Sequence, residues 1–180
     1  MASSTTSAVP GRPAEDEYAD WHAGYVALVP DGDVRDHLRT QLHETVALLS
    51  GVSESKAEQV YGPGKWTLKE VVLHMSDAER VFGYRLLRIA RGDATPLPGF
   101  DQDEWVPHSC ANRRSMASLL LEFAAIRSST MQLVDALPGE AWPRRGTASG
   151  KPVSARALAY VCAGHERHHV RIIRERYLHL

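Results

Sequence analysis

His165 and His169 stand four residues apart in the run His165-Glu166-Arg167-His168-His169, and His74 lies on the apolar stripe of an earlier predicted helix. Four residues turn a helix by about 40° from a full repeat, so such a pair presents two imidazoles on one face, a turn apart. His74 follows Val71 by three and precedes Ala78 by four, on a stripe that continues to Val81 and Arg85. Two facing helices can then offer three nitrogens to one divalent ion, at about 2.0–2.1 Å for zinc, with coordination positions left open. An ion held by neutral ligands acidifies a bound water toward a pKa of about 7, or takes an incoming thiol as thiolate. A plainer reading stands beside this one. Histidine is common here, with nine in the chain, and the cluster can be the solvated end of a His-rich helix. His168 brackets the same face as His165 but sits nearer the polar flank, so it ranks below His169.

The run also matches H-E-x-x-H, in which a zinc protease uses the Glu as general base. The extended protease pattern needs Gly and then His where this chain has Ile172 and Glu175, and no later ligand helix follows. Glu166 points about 100° away from the ligand direction and reads first as a surface carboxylate, with a general base as the weaker alternative. Asp77, one turn from His74, is the other weak catalytic candidate, balanced against a solvated carboxylate. Cys162, one turn before His165, reads as core.

Arg85 and Arg127 fall on or beside inward stripes, where an unpaired cation is costly. Asp101, Asp103 and Glu104 are the expected partners, with an anionic substrate at Arg85, Arg127 and Asp101 as the competing reading. Trp66, just before a cap at Thr67, reads as a hydrophobic staple or a plug at the bundle end.

Four stretches with helical periodicity must position these residues, and period-two alternation is nearly absent, so the fold class is all-α. The first stretch starts at Asp33 and shows Leu38, Leu42, Val46 and Leu49 inward, stopping near Gly51 with a solvated polar face. The second opens on the capping box Thr67-Leu68-Lys69-Glu70 and runs to about Arg91. The third spans roughly Ser115 to Ala136, with Leu119, Phe123, Ile126, Thr130 and Val134 inward. The fourth runs from near Ser154 to about Tyr177, with Leu158, Cys162, His165, His169 and Ile172 on one stripe. Four helices with single apolar faces close into a bundle. A long connector, residues 92–113, joins the second and third and is long enough to cross the bundle end.

The chain has 180 residues, enough for one domain with a core that needs no structural metal. Residues 1–16, rich in Ser, Thr, Ala and Pro, read as a flexible leader, and 17–180 as the bundle domain. Twenty-one basic against 22 acidic residues give no basic stripe, which argues against nucleic acid as a partner. Two cysteines, no signal sequence and no long apolar run argue for a cytoplasmic protein with no membrane partner.

Several phrases resemble the DinB/YfiT-like superfamily: Pro63-Gly64-Lys65-Trp66-Thr67, His74-Met75-Ser76-Asp77-Ala78-Glu79-Arg80, Arg85 to Asp93, Pro98-Gly99-Phe100-Asp101, and Gly164 to His169. The resemblance implies a four-helix bundle in up-down-down-up order, which accounts for the long connector. It implies a divalent metal, zinc or nickel foremost, on His74, His165 and His169, and a homodimer. It further implies chemistry on a small-molecule substrate, with a low-molecular-weight thiol as cofactor in some members and hydrolysis in others. The chain departs from the pattern after His169, where Val170-Arg171-Ile172 stands in place of the usual Gly or Leu followed by Gln.

Two functions are expected to compete. In the first, the ion activates a thiol or water for attack on a small electrophile, as a thiol S-transferase or a hydrolase. In the second, it stiffens a non-catalytic, stress-related dimeric interaction module, which would fill its coordination sphere with a fourth protein ligand.

Overall fold

Each predicted bundle helix begins at its predicted cap. The computed structural model describes residues 10–180. Seven α-helices are found among them: α1 (Ala23–Ala27), α2 (Val34–Leu49), α3 (Glu54–Ala57), α4 (Leu68–Ala90), α5 (Gln102–Trp105), α6 (Met116–Asp135) and α7 (Ala155–Ile172). The long ones, α2, α4, α6 and α7, make a four-helix bundle. Asp33 caps α2 by accepting from Arg35 N at 2.9 Å, and Ser115 and Ser154 cap α6 and α7 in the same way. At α4 the box is reciprocal: Glu70 N donates to Thr67 Oγ1 at 3.1 Å and Thr67 N to Glu70 Oε2 at 2.7 Å. The last stretch continues beyond α7 as a π-helical segment, Ile173–Leu178, where Tyr177 Oη donates to Trp66 O at 2.6 Å.

In the bundle α4 packs chiefly on α6 and α7, and α2 on the same two, so α2 lies across from α4. Thr67 Oγ1 donates to Asn112 Oδ1 at 2.8 Å where α4 and α6 begin. Arg39, early in α2, pairs with Asp135 at the end of α6 at 2.5 Å. Gln41 Nε2 donates to Ala163 O at 2.9 Å, joining the middles of α2 and α7.

Two apolar clusters form the core, and a belt of buried polar side chains lies between them. One cluster holds Leu38, Phe82, Leu86, Leu137, Leu158 and Tyr160, the other Leu49, Leu68, Val72, Leu119, Phe123 and Ile173. Gln41, Thr45, His74, Glu79, Arg127, His165, Glu166 and His169 form the belt. The polar face of α2 therefore departs from expectation: Gln41 and Thr45 face inward, while Leu42 and Val46 are only half-buried. On α6 the inward stripe runs through Arg127, and Ile126 is half-buried.

The all-α expectation needs one correction. An antiparallel hairpin, β1 (Arg145–Ala148) with β2 (Lys151–Ser154), leads into α7. Its two-residue loop, Ser149-Gly150, has φ of 52° and 73°, the pair of positive angles that a tight hairpin requires. Each strand has four residues, too short for alternation to register. The hairpin also grips the long connector, since Leu97 N donates to Thr147 O and Ser149 N to Leu97 O. That connector is not bare loop: α5 and 3-10 turns at Val106–His108 and Ala111–Arg113 break it up.

Residues 1–9 of the expected leader lie outside the described residues. From Pro10 onward, Arg12 donates to Val26 O at 2.8 Å and Val29 O at 2.5 Å. Glu17 is buried and takes an N–H of Arg156 at 2.6 Å. Among the described residues no helix is long and apolar enough to cross a membrane.

Candidate metal centre

α4 carries His74 and α7 carries His165 and His169, and their close packing brings all three imidazoles into the polar belt. His165 Nε2 lies 3.1 Å from His74 Nε2 and 3.1 Å from His169 Nε2. The three ligand-capable atoms fall within 4.8 Å of one another, the one such cluster among the described residues. Burial pushes His74 down to about 4, with His168 nearby adding to the effect. It pushes His165 and His169 well below the ordinary value too, with the neighbouring imidazoles reinforcing it. The rings are thus neutral near pH 7, with lone pairs free to bind.

Two of the three spacings fit a shared divalent ion. Nitrogens at about 2.0–2.1 Å from a common ion stand roughly 2.9 Å apart at a right angle and 3.4 Å apart at a tetrahedral angle. The two 3.1 Å spacings from His165 fall between those values, while the trio as a whole is held within 4.8 Å. Without an ion the contacts are poorly satisfied, because His165 Nε2 has one proton or one lone pair to share between two facing nitrogens. An N3 imidazole donor set suits zinc, nickel, iron and copper alike. No fourth Cys, Asp or Glu joins the group among the described residues.

Aromatic rings wall the cluster. Trp66 covers His74 with ring centroids 4.9 Å apart, more than the staple or end plug expected of it. Tyr25 and Phe82 meet His165 edge-on at 5.3 and 5.5 Å. His168 stays outside the cluster, between Tyr25 and His169. Tyr25 is set by an unusually close backbone approach: a Cβ on Gly164 would lie 2.0 Å from Tyr25 O. Only glycine at this point lets α1 rest on α7.

Two clefts reach the imidazoles. One, of about 490 Å³, exposes His165 among His22, Phe82, Arg85 and Phe100. The other, of about 230 Å³, exposes His169 beside Tyr61, Trp66 and Tyr177. Gln102 and Asp103 of α5 line both.

Several of the other residues singled out in the sequence are placed differently from expectation. Glu166 is buried rather than superficial: its carboxylate accepts from Thr45 Oγ1 at 2.6 Å and Gln41 Nε2 at 3.0 Å and pairs with Arg127 at 2.7 Å. Arg127 does not pair with Asp101, Asp103 or Glu104. It is enclosed by Glu79 at 2.7 Å and by Glu166, and Nη1 also donates to Leu38 O. Burial alone would weaken its proton, and the two carboxylates more than reverse that, so Arg127 is raised above the usual guanidinium value. This guanidinium has no free face for a substrate. Arg85 likewise lacks the expected acidic partner and donates to Pro98 O and Ser149 Oγ. Asp101 caps α5 at the rim of the larger cleft, and Asp77 pairs with Arg80 at 2.9 Å. Cys162 is buried, and burial raises its thiol well above the usual value. Glu79, Gln41 and Thr45 were missed, because a polar residue on a helix gives no sign in sequence that a partner on another helix will pull it inward.

A model of the DinB superfamily matches residues 37–173. The chain belongs to the DinB superfamily. Among solved structures, this DinB protein resembles YfiT from Bacillus subtilis, described as a probable metal-dependent hydrolase with an unusual four-helix bundle topology. The TM-score is 0.66 at 16% identity, covering 91% of this chain and 89% of that one, which establishes a shared fold. No curated protein matches the chain.

Proposed function

We propose that this DinB-superfamily protein is a metal-dependent enzyme acting on a small electrophilic substrate, with His74, His165 and His169 as the ligands. The carrying observation is the convergence of three neutral Nε2 atoms, with no fourth protein ligand among the described residues and open clefts alongside. When bound, a zinc or nickel ion would supply Lewis acidity and lower the pKa of a thiol or water brought to it.

The protein's own residues hold the imidazoles still and shape what reaches them. Trp66, Tyr25 and Phe82 pack against the rings and fix their planes. Glu166, Arg127 and Glu79 lock α7 against α4 and α6 behind the cluster. Glu166 has its oxygens committed there, so it positions the helix rather than taking a proton from substrate. His22, pushed down to about 4 by burial and by Arg85, is a neutral imidazole on the larger cleft, and its Nδ1 has no partner.

The reading takes the bundle as up-down-down-up: the contacts near Thr67 and Asn112 run α4 alongside α6, and those of Gln41 and Thr45 run α2 alongside α7. It also takes the protein as a cytoplasmic homodimer, with the exposed Leu121, Tyr84 and Leu87 on α6 and α4 available for contact. The test is elemental analysis of protein purified without an affinity tag, followed by assays with low-molecular-weight thiols and with ester and amide substrates. One equivalent of zinc or nickel with turnover that a chelator removes supports the reading. Protein that carries no ion and cannot acquire one overturns it.

A further inference from the structure

Arg85 is a buried cation without an anion. It is only 3% exposed, yet no carboxylate among the described residues lies within ion-pairing distance. Its Nη2 donates to Pro98 O at 2.6 Å and to Ser149 Oγ at 3.0 Å, both neutral acceptors. Nε and Nη1 donate to no described residue. The guanidinium lies over the Phe100 ring, 5.7 Å from its centroid. Arg127, the deeply buried guanidinium of the belt, is by contrast met by two carboxylates. Burying a charge without a counter-charge is among the most costly arrangements in a fold. Desolvation accordingly weakens the hold of Arg85 on its proton.

The cation borders a place where a ligand fits. Arg85, Ser149, His22, Phe82, Phe100 and His165 line one cleft of about 490 Å³, within the range of small-molecule sites. The hairpin loop supplies Ser149, and its bonds to Leu97 tie the connector bearing Phe100 to the same spot. Asp101 and Asp103 also line the cleft, but Asp101 Oδ1 is occupied by Asp103 N at 2.9 Å and neither acid reaches Arg85. Phe82 links the two ends, with its ring 6.3 Å from His22 and 5.5 Å from His165.

We infer that Arg85, with Ser149 and His22, forms a carboxylate-docking end of this cleft, and that the substrate joins a carboxylate to a planar apolar body lying between Phe82 and Phe100. The guanidinium accepts the carboxylate as its missing counter-charge, and the body extends toward His165. The identification of the reacting end rests on the metal-centre reading; the docking end does not.

The probe is benzoate, with benzamide as its uncharged counterpart, titrated calorimetrically into the full-length His74→Ala protein so that no ion at the imidazoles competes for the carboxylate. Benzoate is expected to bind at least about tenfold more tightly than benzamide, the ratio that one charge-assisted hydrogen bond supports. Arg85→Gln in that background should erase the difference, and Arg85→Lys should keep part of it. Equal binding of the two probes, no binding of benzoate, or a preference that survives Arg85→Gln overturns the inference. Should Arg85→Gln lose its helical circular dichroism, Ser149→Ala takes its place and must weaken benzoate while leaving benzamide unchanged; if it does not, the inference falls. Zinc uptake by Arg85→Gln with the histidines intact reads the metal centre separately, so either idea can fail alone.

Discussion

The carboxylate of Glu166 leaves its sequence neighbour His165 aside and meets Arg127 on another helix, Oε2 to Nη1 at 2.7 Å. Glu79 meets the same guanidinium, so one buried cation is shared between two carboxyl groups from different helices. The integrity of this group decides where α7 sits, and α7 carries two of the three imidazoles.

Arg127→Met removes the shared cation and strands two buried carboxylates. Loss of one partner from a buried ion pair costs about 3–5 kcal/mol. Urea denaturation should show a loss of that size. A triple variant that also carries Glu79→Leu and Glu166→Leu should recover most of it, because apolar replacement of the whole group is often neutral. A single variant as stable as the parent would contradict this account.

His74→Ala takes away one nitrogen of three while leaving the helix intact. Outer partners of a metal site cost about 10–100-fold in affinity when removed, and a direct ligand should cost more. Zinc titration against a competing chelator reads this directly. Affinity within a factor of two of the parent would remove His74 from the site.

Gly164→Ala puts a methyl group 2.0 Å from Tyr25 O, against backbone that cannot swing aside. The short helix α1 must lift from α7, and overpacking of this kind costs about 1–3 kcal/mol. Hydrogen exchange should rise first in residues 23–27, ahead of the bundle helices.

Glu17 ties the N-terminal segment to α7 through Arg156. Burial alone would raise its pKa, but the bonds from Arg156, Ser154 and Ala14 N outweigh it and bring the carboxyl to about 2, from 4.5. A carboxyl depressed on folding adds stability above its unfolded value, and that part is lost as pH falls from about 4.5 toward 2. Thermal melts from pH 6 to pH 2.5 should therefore show a shallower acid decline for Glu17→Gln than for the parent. Parallel curves would show that Glu17 does not drive it.

The starts of the four long helices could be read from single residues, because a cap acts on backbone within three positions: Asp33, Thr67, Ser115 and Ser154 each hold the bond their identity implies. The histidine cluster was legible for a related reason, since helical spacing fixes relative direction and apolar neighbours fix which direction is inward. The partners of Arg127 were not legible. Acidic residues in the connector were the expected choice, whereas Glu79 and Glu166 came from helix faces whose inward turn depends on how α2, α4, α6 and α7 abut. Ser149 was hidden similarly, because nothing near it in the chain signals contact with Arg85, 64 positions earlier.

Gln102 and Asp103 form part of the wall of both clefts, yet they belong to the connector and not to any helix that bears an imidazole. Part of each entrance is thereby built by a stretch of polypeptide separate from the helices that bear the imidazoles. A changed turn at this point would reshape two entrances at once and leave the imidazoles where they are.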